Sequence, residues 1–173
     1  MPACRGRVDM AADAPLPPGV AVISATMPHA EAIATAHALC FDEAWSAFTV
    51  RQVLNMPGAF GLIARAPDAA GGEDLAGFVL ARVAADECEI LSLATAPRWR
   101  ARGVGRMLLD ACIARAASLG AISLFLEVAE DNTVAQGLYR RRGFNAVGRR
   151  EAYYRRREGA PAAALTLALM LTP

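Results

Sequence analysis

The feature that most constrains how this 173-residue chain can fold lies between Cys88 and Val128. A β-forming stretch, Cys88 to Ala94, ends before Pro97. The turn Arg100-Ala101-Arg102-Gly103-Val104-Gly105 follows, and from Val104 the apolar residues Leu108, Cys112, Ala116 and Leu119 recur as one stripe of a helix. Gly120 stands at the usual C′ position after that stripe, and a short apolar strand, Ser123 to Val128, comes next. A strand–helix–strand unit of this kind predicts two parallel strands joined by a right-handed crossover.

The remaining elements read as helices and hairpins around that unit. Val20 to Ser24 is an expected strand. A helix carries Ile33, Ala36, His37 and Cys40 at helical spacing after Pro28, and a second spans Ser46 to Leu54 with Ser46 as a possible N-cap. Pro57-Gly58 breaks the chain. Phe60 to Ala64 and Leu75 to Ala84 form a hairpin across a turn containing Gly71-Gly72. After the central unit come a helix from Asn132 to Arg142 closed by Gly143, then strands near 146–154 and 163–171. The order β-α-α-β-β-β-α-β-α-β-β predicts an α/β (α+β) fold: a mixed central sheet of about six to seven strands flanked by about four helices. One domain over residues 20–173 is expected, with 1–19 as a flexible leader, because no apolar stretch follows Arg5 and Arg7.

Composition excludes several function classes. No apolar run approaches the roughly 20 residues of a membrane span. Cys4, Cys40, Cys88 and Cys112 show no CxxC pairing, and the only histidines are His29 and His37, so neither a metal site nor a disulfide framework is expected and a reducing cytoplasm fits best. Lysine is absent. Residues 1–97 hold 5 Arg against 11 Asp+Glu, whereas residues 98–157 hold 13 Arg against 5 acids. That basic half suits a polyanionic ligand or RNA, or simply solvated helix faces. An RNA-binding module using Arg140-Arg141-Arg142 and Arg155-Arg156-Arg157 is an alternative of another class. Against it, the chain lacks the interleaved aromatic and basic residues of RNA-reading surfaces, so no direct nucleic-acid function is expected.

The turn at Arg100–Gly105 opens a helix immediately after a strand. Glycines there let backbone approach a phosphate, and the helix N-terminus offers N–H groups and the positive dipole end. Arg98, Arg100, Arg102 and Arg106 add charge. An ordinary strand-to-helix turn would look the same. A Walker loop is excluded because no Gly-Lys-Ser/Thr follows, and a dinucleotide fold because the third glycine is missing and the turn lies late in the chain.

These residues resemble the GNAT acetyltransferase superfamily. Arg/Gln-x-x-Gly-x-Gly/Ala is its pyrophosphate turn. Leu91-Ser92-Leu93-Ala94-Thr95-Ala96-Pro97 is similar to its preceding strand, Leu126 to Asn132 to its next strand and loop, and Ala135 to Phe144 to its C-terminal helix and cap. Within the superfamily, Ala44-Trp45-Ser46, Leu126-Glu127-Val128 and Arg149 to Tyr154 resemble the RimI family, whose members acetylate the N-terminal alanine of a small-subunit ribosomal protein. The similarity spans about residues 20–171. One departure is that the stretch before the last strand, 158–164, holds a single acidic residue, Glu158.

The resemblance implies acetyl-CoA as co-substrate, no metal, and a protein N-terminus as acceptor, with a small-molecule amine or a different N-terminus as alternatives. The pyrophosphate would lie on Arg100, Ala101, Arg102, Gly103, Val104, Gly105 and Arg106. The pantetheine arm would run along the backbone of Leu93, Ala94 and Thr95 and past Asn132, which is also an ideal N-cap with Asp131 as competitor. Glu127 is the candidate general base. It is a carboxylate in an otherwise apolar strand, which needs a cavity or a partner such as a nearby Arg. Tyr139 is the candidate general acid for the departing thiolate, although core packing is the usual fate of a helix tyrosine. Trp45, Ser46, Tyr153 and Tyr154 would line the peptide side. Adjacent strand residues point to opposite faces, so only one of the two tyrosines can face the peptide.

Overall fold

The computed structural model describes residues 18–68, 70–154 and 162–171, the side chains of 152–154 excepted. Most of the expected leader, the Arg155–Arg157 cluster and Glu158 lie outside the described residues. The strands are β1 (Ala21–Ser24), β2 (Ala59–Pro67), β3 (Glu73–Ala84), β4 (Glu87–Thr95), β5 (Ser123–Ala129), β6 (Asn145–Tyr154) and β7 (Ala162–Met170). The helices are α1 (Ala30–Cys40), α2 (Ala47–Leu54), α3 (Val104–Ser118) and α4 (Thr133–Arg141), with short 3-10 turns at Met27–His29 and Pro97–Trp99. Element order and type match the sequence reading throughout. No helix among the described residues is long and apolar enough to cross a membrane.

All seven strands join one sheet in the order β1-β2-β3-β4-β5-β7-β6. β4 and β5, on either side of α3, pair in parallel, and every other neighbouring pair is antiparallel. Both faces of the central strands are buried, so β3 reads as a nearly continuous apolar run. Val79 and Ala81 join Leu108, Cys112, Leu124, Leu126 and Val128 in the core beneath α3 and α4. Phe78 and Leu80 join Ile33, Cys40, Val50 and Ala94 in the core beneath α1 and α2.

Helix ends follow the chain's punctuation. Gly120, at φ +89°, lets Ala121 N–H donate to Ala116 O and Gly120 N–H to Ala117 O, a Schellman closure of α3. Gly143 closes α4 in the same way through Phe144 N–H to Tyr139 O. The β2–β3 hairpin runs further than its apolar residues suggest. Arg65 and Glu73 look like loop residues but form an ion pair at the hairpin end, and the Asp68 carboxylate accepts from the N–H groups of Ala70 and Gly72 to close the turn.

Candidate active site

The parallel ladder between β4 and β5 is short. It pairs Glu87 to Ile90 with Ser123 to Leu126 and then stops, although β4 continues to Thr95 and β5 to Ala129. Beyond Ile90 the two strands part. An irregularity marks the place: Leu80 of β3 faces Ser92 while Ala81 faces Ile90, so Leu91 is an extra residue on β4. The β4 backbone from Ser92 to Thr95 therefore has β3 on one side and no ladder to β5 on the other. Backbone N–H and C=O groups at such an edge need partners. An extended ligand inserted between the strands would supply them.

The strand delivers the chain to the Arg100–Gly105 turn. Ala101 (φ +59°) and Gly103 (φ +77°) both adopt the left-handed region, with Arg100 (φ −65°) and Arg102 in the ordinary one. Such alternation points successive N–H groups to one side and makes an anion-binding concavity. Gly103 is the N-cap residue of α3, and no side chain caps this helix. Its first-turn N–H groups are left for solvent or an anion. Gly105 has a different reason to lack a side chain: a Cβ there would stand 3.2 Å from Thr95 Oγ1, so it sets how closely α3 approaches the end of β4.

The arginines around the turn divide by role. Arg100 reaches back into the protein, donating from Nε to Thr95 O (3.4 Å) and from Nη2 to Cys40 Sγ (3.7 Å), which ties the turn to β4 and α1. Arg98 pairs with Asp74, which also accepts from the Trp99 indole. Burial opposes ionisation of Asp74, but the hydrogen bonds from Arg98 and Trp99 outweigh it and hold the carboxyl below its usual range. Arg102 lies over the Trp99 ring, 5.3 Å from its centroid.

Glu127 lies on β5 between buried Leu126 and Val128, on the opposite sheet face from them. Its side chain is only 17% exposed, and its Oε1 accepts from Arg150 Nη1 of β6 at 3.0 Å. The partner that the sequence left open is thus an arginine from the final hairpin. Tyr139 is buried on α4 with its ring 5.7 Å from that of Phe144, among the residues beneath α3 and α4. Core packing is therefore part of its role. Asn132, not Asp131, caps α4, its Oδ1 accepting from Ala135 N–H at 3.1 Å. The sequence reading missed Gln136. Its buried amide donates to the carbonyls of Ala129 and Glu130 and accepts from Arg140, fixing α4 to the end of β5. Its i, i+4 spacing to Arg140 was the available signal.

On the opposite side of the sheet, Ser46 caps α2 by accepting from Thr49 N–H. Half-buried Trp45 stacks on His37 with ring centroids 5.0 Å apart and planes 14° apart. His37 is fully buried, and burial pushes its pKa down to about 4. Tyr153 and Tyr154 belong to the β6 backbone, but their side chains lie outside the described part of the structure. Among the described arginines, Arg142 pairs with Asp110, Arg149 with Glu130 and Glu151, and Arg150 with Glu127.

Known proteins agree with this geometry. Residues 30–144 match the acetyltransferase (GNAT) family. A [ribosomal protein bS18]-alanine N-acetyltransferase of Haemophilus ducreyi is 34% identical over 99 residues, covering 57% of this chain and 68% of that protein. The ribosomal-protein-S18-alanine N-acetyltransferase of Escherichia coli superposes with a TM-score of 0.78 at 24% identity, covering 89% of this chain and 95% of that one. Arabidopsis thaliana NAA60 in complex with acetyl-CoA superposes at 0.75 with 18% identity, covering 87% and 98%. The parted parallel strands, the left-handed turn at the head of α3 and the family match over two-thirds of the sequence together make this chain a member of the GNAT family, an acetyl-CoA-dependent N-acetyltransferase.

Proposed function

We propose that this enzyme acetylates the N-terminal amine of a protein, with the N-terminal alanine of a small-subunit ribosomal protein, the bS18 equivalent, as its acceptor. It would do so in the cytoplasm. The observation that carries the reading is the gap between β4 and β5: it has a backbone edge on one side, a carboxylate of β5 at its border, and an anion-binding turn at its end. The named relative's specificity supports the choice of acceptor.

In this reading the pyrophosphate of acetyl-CoA rests on residues 100–105 and Arg106. The pantetheine arm bonds the backbone of Leu93, Ala94 and Thr95, and the amide nitrogen of Asn132 remains a free donor for it while its oxygen caps α4. The acceptor enters between Trp45-Ser46 and the β6–β7 hairpin, with one of Tyr153 and Tyr154 against it. An α-ammonium, with a pKa of about 8, must lose a proton before it can attack. Glu127 takes that proton, directly or through a water. The amine nitrogen then attacks the thioester carbonyl carbon, the N–C bond forms, and the tetrahedral intermediate gives the nitrogen's second proton to solvent water as it collapses to the amide with cleavage of the C–S bond. Tyr139 gives its proton to the departing thiolate. A phenol of pKa about 10 matches a thiol leaving group well enough for this transfer. Arg150 holds the Glu127 carboxylate in place until the acceptor arrives.

The test is thiol release from acetyl-CoA across peptides that differ in their first residue. A clear preference for N-terminal alanine is the expected result. Activity on small amines alone would refute the reading.

A further inference from the structure

His37 poses a question that the catalytic reading does not answer. It lies in α1 at the apolar spacing of Ile33, Ala36 and Cys40, and it is fully buried. A leucine would suit that position. Instead, Nδ1 accepts the backbone N–H of Trp45 at 3.1 Å. An imidazole nitrogen that accepts from an amide carries no proton, so in the neutral ring the proton sits on Nε2. Nε2 has no hydrogen-bond partner among the described residues. A buried unpaired donor costs about 1–3 kcal/mol. A chain that keeps this cost gains something from the other nitrogen.

The rest of the ring is equally committed. It stacks on Trp45, lies 4.2 Å from the ring of Phe41 and 5.9 Å from that of Phe78, centroid to centroid. Phe78 is paired across the sheet with Ala94 of β4. His37 therefore stands between the segment 41–46 and the part of β4 that borders the gap. It holds Trp45 twice, by the main-chain N–H and by the indole face. Elsewhere on that segment, Ser46 is engaged in capping α2, and Phe41 N–H is taken by the end of α1.

We propose that neutral His37 is a positioning residue for the acceptor: through its Nδ1 bond and its stack it fixes Trp45, and with it the wall against which the acceptor N-terminus is held. This rests on the reading that Trp45 flanks the acceptor. His37 touches neither substrate in this scheme.

Two variants of similar shape separate the bond from the packing. His37→Asn can present its side-chain oxygen where Nδ1 stood, whereas His37→Leu offers no acceptor. Hydrogen exchange at the Trp45 amide is measured in the free enzyme, and KM is measured for acetyl-CoA and for a peptide with an N-terminal alanine. In the leucine variant, Trp45 exchange is expected to quicken about tenfold and peptide KM to rise by a similar factor, as loss of one hydrogen bond implies. Its acetyl-CoA KM should stay within about twofold, and the asparagine variant should recover both losses. Unchanged Trp45 protection in His37→Leu overturns the positioning role. So does equal loss in the leucine and asparagine variants, which would mean packing alone. Faster Trp45 exchange with unchanged peptide KM refutes instead the placement of Trp45 on the acceptor side. Should the leucine variant not fold, His37→Gln, whose amide reaches the Nε2 position and not Nδ1, takes its place with the same expectations.

Discussion

Between β4 and α4, the groups that would meet the cofactor are mostly backbone: the unladdered edge at Ser92–Thr95, the left-handed residues Ala101 and Gly103, and the uncapped N–H groups of α3. Between α1 and α2, and on the final hairpin, the corresponding groups are side chains held by other side chains: Trp45 on His37, and Glu127 on Arg150. The contrast has a physical reason. A cofactor that does not change can be met by fixed N–H and C=O groups, whose direction is set by a few obligatory dihedral angles. An acceptor that must be told from other amines needs side-chain surfaces, and these are positioned only by packing.

The sharpest way to break that comparison is at Glu127, where the two halves meet. Glu127→Gln keeps the shape and removes the carboxylate proposed as base, so turnover should fall about 10²–10⁴-fold in steady-state assays with little change in acetyl-CoA KM. A variant retaining full turnover would remove Glu127 from the chemistry. Tyr139→Phe should lower turnover by at least about tenfold while acetyl-CoA binding, followed by calorimetry, is preserved. That change leaves the ring's packing against Phe144 in place.

On the acceptor side, His37 predicts a pH dependence of stability. Its folded pKa, about 4, lies below the ordinary 6.5. The unfolded chain then binds the extra proton between those values, so the neutral buried ring favours folding above pH 6.5 and that contribution is lost as pH falls toward 4. From pH 7 to pH 5 the native protein should lose about 2 kcal/mol more than His37→Asn, read from urea unfolding at the two pH values. Equal losses would show that His37 is not held neutral.

The smallest effect belongs to the cofactor side. Asn132→Ala removes the α4 cap, with an expected cost of about 0.5–2 kcal/mol in thermal unfolding. Acetyl-CoA KM should rise while peptide KM stays near its native value. If the peptide KM moved instead, the division between a backbone-built and a side-chain-built half would fail.

These differences also explain what could be read early. Element order, the parallel pairing of β4 with β5 and the caps at Ser46, Asn132, Gly120 and Gly143 were legible because each depends on local chemistry: apolar period, cap oxygens and glycine at positive φ. The pairing of Glu127 with Arg150 was foreseen only as a type of contact, since which of many arginines returns to β5 depends on the β6–β7 register. The inward turn of Arg100 toward Thr95 and Cys40 was not foreseen, because three separate elements meet there. His37 was visible as a member of an apolar stripe, and nothing local marked it as the acceptor for Trp45 N–H.

The sequence by itself therefore determined the fold's order, the parted strands' surroundings and the turn that suits a pyrophosphate, because glycines, caps and apolar periods act within a few residues of where they stand. Only the tertiary structure decided where β4 and β5 separate, what holds Glu127, and how His37 and Trp45 lock together. Those contacts join residues distant along the chain, and their geometry is fixed by sheet register and by close packing across the two faces of the sheet.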